Sequence, residues 1–248
     1  MNEDKFTGKA EIYAKYRPSY PDELIDWLVE KTQAENVVDI GAGTGIFTEC
    51  LLKKFKSVTA VEPNDDMLKV LINSVGDRVN IVKAPAEATT LDNGQFGLIT
   101  VAQAFHWFDK PKFKKECQRI LKQNGMLAVI WNERVQNDVA NTRNKVCMKY
   151  CGAYHSGHVD TGYKDFDGET FLRNEYFSET KYFRVENNVT MTKEHFIGDN
   201  LSRSYALKEG DENYSNFVNE LENVFDQFNK DGLVEIPYFT TCYLGNFK

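Results

Sequence analysis

Three glycines at alternate positions, Gly41, Gly43 and Gly45, close the apolar run Val37-Val38-Asp39-Ile40. Glycine lets the main chain turn tightly and approach a ligand with no side chain in the way. A helix starting after such a turn points free N–H groups at an anion, a carboxylate for instance. Seventeen residues beyond Gly45 stands Glu62, at the tip of Val58-Thr59-Ala60-Val61. Pro63 biases it toward an extended backbone, and a carboxylate there can accept two hydroxyl hydrogen bonds from a ribose. The glycine spacing separates the chemistries such a turn can serve. A dinucleotide fingerprint places its third glycine five residues after the first, and that position is Ile46. No Gly-Lys-Ser/Thr follows, so the loop is not a phosphate-cradling P-loop. Glu62 alone does not discriminate, because nicotinamide-dependent oxidoreductases use the same strand-tip carboxylate.

Other side chains could take part. Met67 is placed to lie against a base or to fill the core. His106, within Gln103-Ala104-Phe105-His106-Trp107-Phe108-Asp109, is the candidate general base, with pocket lining or simple packing as its alternatives. Trp107 is a candidate pocket wall. A carboxylate acceptor would need no base; it would need cations, and Arg134, Arg173 and Arg203 are candidate clamps. Cys147, Cys151 and His155 recur every four residues, which stacks them on one helix face. A zinc site there lacks a fourth partner at useful spacing and Gly152 weakens the helix, so no metal is expected.

The hydrophobic pattern supplies the frame for these residues. Pro21 opens a helical pattern through Leu24, Ile25, Leu28 and Val29. The strand 37–40 is followed by a helix near 45–55, the strand 58–61, a helix over 64–75, the strand 79–83, the strand 96–102 and a helix over 111–122. Asn124-Gly125 is expected to stop that last helix, and the strand 126–131 completes the series. Alternation of this kind means a parallel sheet covered on both faces, with ligands beyond the carboxyl ends of its strands. Beyond Glu133 the spacing predicts helices near 138–151, 193–207 and 213–229, a strand over 179–192 and a last strand over 234–247.

The 248-residue chain is 42% hydrophobic and 27% charged, with a formal net charge of -7. That composition suits a single elaborated α/β domain. The acidic balance argues against nucleic acid or an anionic membrane as the main partner. The N-terminal MNEDKFTGKAEIYAKYRP has no apolar run of a signal peptide, and no stretch approaches the ~18 apolar residues of a membrane span. Five scattered cysteines do not form a disulfide framework. The expectation is a cytoplasmic monomer or homodimer acting on a small molecule.

The segment Val37-Val38-Asp39-Ile40-Gly41-Ala42-Gly43-Thr44-Gly45 resembles motif I of class I methyltransferases that use S-adenosylmethionine (SAM). Four other segments narrow the likeness: residues 13–21 (YAKYRPSYP), 104–108 (AFHWF), 131–134 (WNER) and 236–238 (IPY). With these the chain is similar to the methyltransferase type 11 group that includes trans-aconitate methyltransferase-like proteins. The likeness covers most of the chain, strongest over 37–133 and weakest over 135–178. It implies a three-layer Rossmann-like α/β fold with a seven-stranded sheet, mostly parallel with the last strand antiparallel, and a helical cap inserted after the fifth strand. One domain would span 1–248, with its core at 21–134 and 179–248, a cap at 135–178 and a lid at 1–20. SAM, leaving as S-adenosylhomocysteine, would be held by Asp39, Gly41, Ala42, Gly43, Thr44 and Gly45, by Glu62, Pro63 and Met67, by Ala86 and Glu87 at the adenine edge, and by Ala102 and Gln103. Tyr16 and Arg17 would reach its methionine end. His106, Trp107, Asn132 and Arg134 would line the acceptor pocket. The alternatives are a SAM-binding protein without transferase activity and a nicotinamide-dependent oxidoreductase on a similar fold, which the glycine spacing opposes.

Overall fold

A computed structural model describes residues 7–152 and 168–248. Strands β1 (Asn36–Ile40), β2 (Ser57–Val61), β3 (Asn80–Val82), β4 (Phe96–Ala102) and β5 (Leu121–Arg134) run parallel. They are followed by β6 (Phe177–Glu186), β7 (Val189–Met191), β8 (Val234–Ile236) and β9 (Tyr238–Phe247). The main sheet has seven strands in the order β3-β2-β1-β4-β5-β9-β6, with β9 antiparallel to both of its neighbours. The chain leaves β1 toward β2 and β3, then returns to place β4 on the other side of β1. The carboxyl ends of β1 and β4 therefore border the switch point where open sheets of this kind bind ligands.

Alternation along the strands fills both faces. Val37, Val58, Leu98 and Ile130 face one layer, made by α2 (Asp22–Thr32), α3 (Ile46–Leu51) and α4 (Asp65–Val75), which follow α1 (Ala10–Tyr16) in the chain. Val38, Ile40, Ile99 and Val129 face the other, where Phe113, Cys117 and Ile120 of α5 (Lys110–Ile120) are fully buried. Side-chain caps fix the starts of these helices. Asn64 Oδ1 accepts from the N–H groups of Asp66 and Met67, each at 3.0 Å, and Asp109 Oδ1 from that of Lys112 at 3.2 Å.

A third apolar cluster forms the cap. It joins α6 (Asp138–Tyr150) to α8 (Lys193–Leu201), α9 (Tyr214–Phe228) and the β7–β8 ribbon, and it buries Cys147, Phe196, Phe217 and Leu221. Between α6 and α8 lies the short α7 (Gly168–Phe171). The cap begins after β5 and takes in α8, α9 and the β7–β8 ribbon, so it extends beyond the expected 135–178 into the stretch 179–248 assigned to the core.

Three local features depart from the sequence reading. Pro21 is the N-cap of α2, extended at φ -63° and ψ 142°, rather than its first helical residue. Asn124-Gly125 does not stop α5, because Leu121 is already extended. The pair makes a bend inside β5, where pairing skips from Phe96–Leu121 to Leu98–Met126 and Asn124 takes a φ of 65°. The terminal apolar stretch divides at Pro237, giving β8 to the cap ribbon and β9 to the main sheet. Among the described residues no helix is long and apolar enough to cross a membrane.

Helix α1, absent from the sequence reading, straps the N-terminus across the cap. The Tyr16 ring lies on Gly198, where an added Cβ would come within 2.3 Å of it, and Tyr16 Oη donates to Glu194 at 2.5 Å. The buried Lys9 ammonium donates to the carbonyls of Arg203 and Ala206, both at 2.7 Å.

Asp39 ties the centre of the sheet together. Its carboxylate is 1% exposed and accepts from Thr48 Oγ1 at 2.7 Å and Thr100 Oγ1 at 3.0 Å. Burial pushes its pKa up to about 6, against the opposing effect of those two bonds. The unfolded chain releases this proton near pH ~3.9. The folded state therefore holds the extra proton between these values, and stability falls as pH rises from about 4 through 6. Asp39→Asn cannot titrate there. Relative to wild type, its unfolding free energy in urea should rise by about 2 kcal/mol between pH ~4 and ~7; a pH-independent difference would refute the raised pKa.

Candidate functional site

The turn after β1 runs through Gly41, Gly43 and Gly45 at φ 71°, 58° and 93°, in the left-handed region that side chains disfavour. The three positions serve different ends. A Cβ on Gly41 would lie 2.7 Å from Ala104 Cβ, and one on Gly45 2.8 Å from Leu71 Cδ1, so both are closed by packing. A Cβ on Gly43 would meet nothing within 4 Å. Gly43 is thus the member whose missing side chain leaves open space. Its N–H donates to Glu62 Oε2 at 2.8 Å, and the N–H of Asn64 donates to Glu62 Oε1 at 2.9 Å. Glu62, 6% exposed, is held at the tip of β2 with its carboxylate oriented by two backbone donors.

Two adjoining chambers open on this turn and share Tyr13, Gly41, Gly43, Ala102 and Gln103. The larger has a volume of about 400 Å³, within the range of small-molecule sites. Glu62, Pro63, Asn64, Met67, Ala86, Glu87, Ala104, Trp107 and Phe108 line it. Glu87 Oε1 also accepts from the N–H of Asp109 at 2.7 Å, which fixes its loop. The smaller chamber, about 50 Å³, is bounded by Asp39, Ala42, Thr44, Arg17, Asn132, Arg203 and Tyr238, with Tyr20 and Phe47 behind. Thr44 Oγ1 and Arg17 Nε are buried there without a hydrogen-bond partner among the described residues. The Arg17 guanidinium stacks over the Tyr13 ring at 4.7 Å. Gln103 sits between the chambers at a φ of 58°, its amide donating to the Asn132 carbonyl at 3.2 Å.

Most residues picked out from sequence come together here; the rest do not. Gly45 stands behind the turn against Leu71, outside both linings. Tyr16 lies outside both chambers, committed to Glu194 and Gly198, and Tyr13 takes the place expected for it. The reason is α1: helical spacing puts Tyr13 four residues before Arg17 on one face and turns Tyr16 toward α8. His106 is 4% exposed in a 3₁₀ turn, beside the Trp107 ring at 4.6 Å, and lines neither chamber. Arg134 is engaged in an ion pair with the buried Asp199 and donates from Nε to Tyr238 Oη at 2.6 Å. Arg173 pairs with Glu169 at 2.9 Å outside both chambers. Cys147 and Cys151 are buried, and His155 lies outside the described residues. Asn132 lines the small chamber, with Oδ1 accepting from Thr240 Oγ1 at 2.6 Å.

Sequence reasoning missed Tyr13, Tyr20, Phe47, Phe108 and Tyr238 as chamber walls, and it missed Asp199 altogether. An expected helix over 10–16 would have selected Tyr13. The one local signal for Asp199 is its i,i+4 spacing to Arg203; its other ion-pair partner, Arg134, is 65 residues away.

Comparison with known proteins agrees with this geometry. A family model described as a methyltransferase domain (Methyltransf_11) matches residues 38–129. The uncharacterized methyltransferase Rv3342 of Mycobacterium tuberculosis (strain ATCC 25618 / H37Rv) is 40% identical over 129 residues, 52% of each chain. The uncharacterized methyltransferase C25B8.09 of Schizosaccharomyces pombe is 28% identical over 188 residues, 73% of this chain and 74% of that one. The alignment thus spans about half the length of the first of these relatives. A chain of Anaeromyxobacter dehalogenans, provisionally named a type II methyltransferase, shares the fold with a TM-score of 0.67 at 22% identity, over 93% of this chain and 98% of that one. The [4+2]-cyclase SpnF shares it with a TM-score of 0.50 at 16% identity, over 92% and 82%. The narrower likeness to trans-aconitate methyltransferases gains no support from these matches. The glycine turn and the strand-tip carboxylate lie within residues 38–129, and that segment matches the methyltransferase-domain family model, while the fold is shared with methyltransferase structures.

Proposed function

We propose that the chain transfers a methyl group from SAM to a small-molecule acceptor, with the nucleoside of SAM in the large chamber and its amino-acid end in the small one. The observation that carries this reading is the meeting of the two chambers over Gly43, beside the oriented carboxylate of Glu62. The residues fit the group. Glu62, with its carboxylate oriented by two backbone N–H groups, is an acceptor suited to hydroxyls. Met67, Pro63, Ala104 and Phe108 give an apolar lining for a base. Thr44 Oγ1 and Arg17 Nε, buried without partners, suit a carboxylate.

When bound, SAM supplies a sulfonium methyl group whose departure leaves a neutral thioether. The residues here therefore need activate no leaving group. Their task is to hold donor and acceptor about 3 Å apart and aligned, which can supply several kcal/mol of the barrier. Tyr13 at the junction, with Trp107 and Phe108 in the large chamber, excludes water from the site. His106 receives no proton-transfer role, because it lines neither chamber. A shared fold does not by itself fix an activity, and the [4+2]-cyclase with this fold makes binding without methyl transfer the second reading. Methyl transfer to candidate acceptors, set against SAM binding by calorimetry, separates the two.

Gly43→Val should abolish binding of S-adenosylhomocysteine in calorimetry while a cooperative thermal transition remains. The left-handed backbone costs a branched residue on the order of 1–2 kcal/mol, less than the stability of an ordinary domain; unchanged affinity would remove the turn from the site. Glu62→Ala should weaken the same binding by about 1–3 kcal/mol, the worth of hydrogen bonds to a charged group. Equal affinity would take Glu62 out of contact with the sugar.

A further inference from the structure

Two arginines bond to one carboxylate, Asp199 of α8, which is fully buried. Arg203 Nη2 donates to its two oxygens at 3.1 and 3.3 Å, and Arg134 pairs with it from the end of β5. Both arginines also reach Tyr238 Oη, at 3.4 Å from Arg203 Nη2 and 2.6 Å from Arg134 Nε. Arg203 and Tyr238 line the small chamber, whereas Asp199 and Arg134 stand behind it. Burial alone would raise the pKa of Asp199; Arg134, Arg203, Arg17 and Arg143 reverse this and hold its carboxyl well below the usual range. It is therefore an anion at any physiological pH.

We propose that Asp199 is the positioning residue of the small chamber, fixing Arg203 as a cationic wall alongside Arg17 so that two guanidinium groups meet the carboxylate of SAM. This rests on the reading of the glycine turn as a SAM site. Without an anion between them the arginines would repel one another in a poorly screened interior. An arginine held in place before the ligand arrives loses no further freedom when it binds. The same helix governs Arg17. Gly198 seats the Tyr16 ring, and the Ser202 carbonyl accepts from Arg17 Nη2 at 3.5 Å. Asp199 thus sets one guanidinium directly and stands on the segment that supports the other.

The test is calorimetric binding of two nucleosides to the whole chain: S-adenosylhomocysteine, and 5′-methylthioadenosine, which lacks the amino-acid end. In Asp199→Asn the Kd for S-adenosylhomocysteine should rise at least tenfold while that for 5′-methylthioadenosine stays within twofold. Arg203→Gln should reproduce this split, and the double variant should be no worse than Asp199→Asn. Parallel weakening of both nucleosides would make Asp199 a general support of the fold, and no change in either would remove it from the site; both outcomes overturn the proposal. Should Asp199→Asn fail to fold, Arg203→Gln decides alone, because it leaves Asp199 paired with Arg134. A wild-type chain that binds neither nucleoside refutes the SAM site itself, which is a different failure.

Discussion

The turn after β1 works under a steric constraint from two sides. Gly41 is pressed by Ala104 and Phe108, so the loop after β4 closes directly on the loop after β1. Gly45 is pressed by Leu71, so α4 closes on the first turn of α3. Between them Gly43 has nothing within 4 Å, and that gap is where the two chambers meet. The open space exists because its neighbours are crowded: packing at both ends holds the main chain in a left-handed path that side chains disfavour. Glu62 then uses the exposed N–H of Gly43 to set its own carboxylate. Turn and strand tip orient each other, and the sheet supplies both.

A second constraint is electrostatic and joins three parts of the molecule. Arg134 and Tyr238 belong to the sheet, Asp199 and Arg203 to the cap and Arg17 to the strap that follows α1. A buried charge is tolerated when it is paired and hydrogen-bonded, so the pairing of Asp199 requires the sheet and the cap to stay together. Lys9 adds a further tie, burying its ammonium against two carbonyls after α8 at the cost of a pKa lowered to about 8, chiefly by desolvation. The small chamber lies where these polar ties converge, and its walls join Tyr20 and Phe47 of the sheet-side cluster to Tyr238 of the cap cluster.

The half of the chain with short-range logic was legible in the sequence. The strand 96–102 begins and ends where its apolar run does, and Gly41, Glu62, Ala86 and Gln103 were placed because each sits at the carboxyl tip of a parallel strand or directly after one. Where the reading failed, contacts distant in sequence decide. Tyr16 carries the same ring as Tyr13, and only the docking of α1 on Gly198 tells them apart. Arg134 looked available as a clamp because its partner is far away in sequence: it is Asp199, on a helix of the cap. Asn124-Gly125 has the residue types of a helix stop and serves as a bend within a strand, since α5 has already ended at Ile120. His106 has the chemistry of a base and the burial of a core residue, and burial is a property of the whole fold.

The position of β9 has a consequence for how the molecule assembles. Strands β1 to β5 pair in parallel with partners already synthesised, so that half-sheet can form from residues up to 134. The strand β6 touches the sheet only through β9, which arrives some fifty residues later. Until residues 238–247 leave the ribosome, the free edge of β5 and the whole of β6 are unpaired, and an unpaired edge is a template for association with other chains. During synthesis the cap helices between them must therefore fold against a sheet that is not yet closed, with β5 left as the exposed seam.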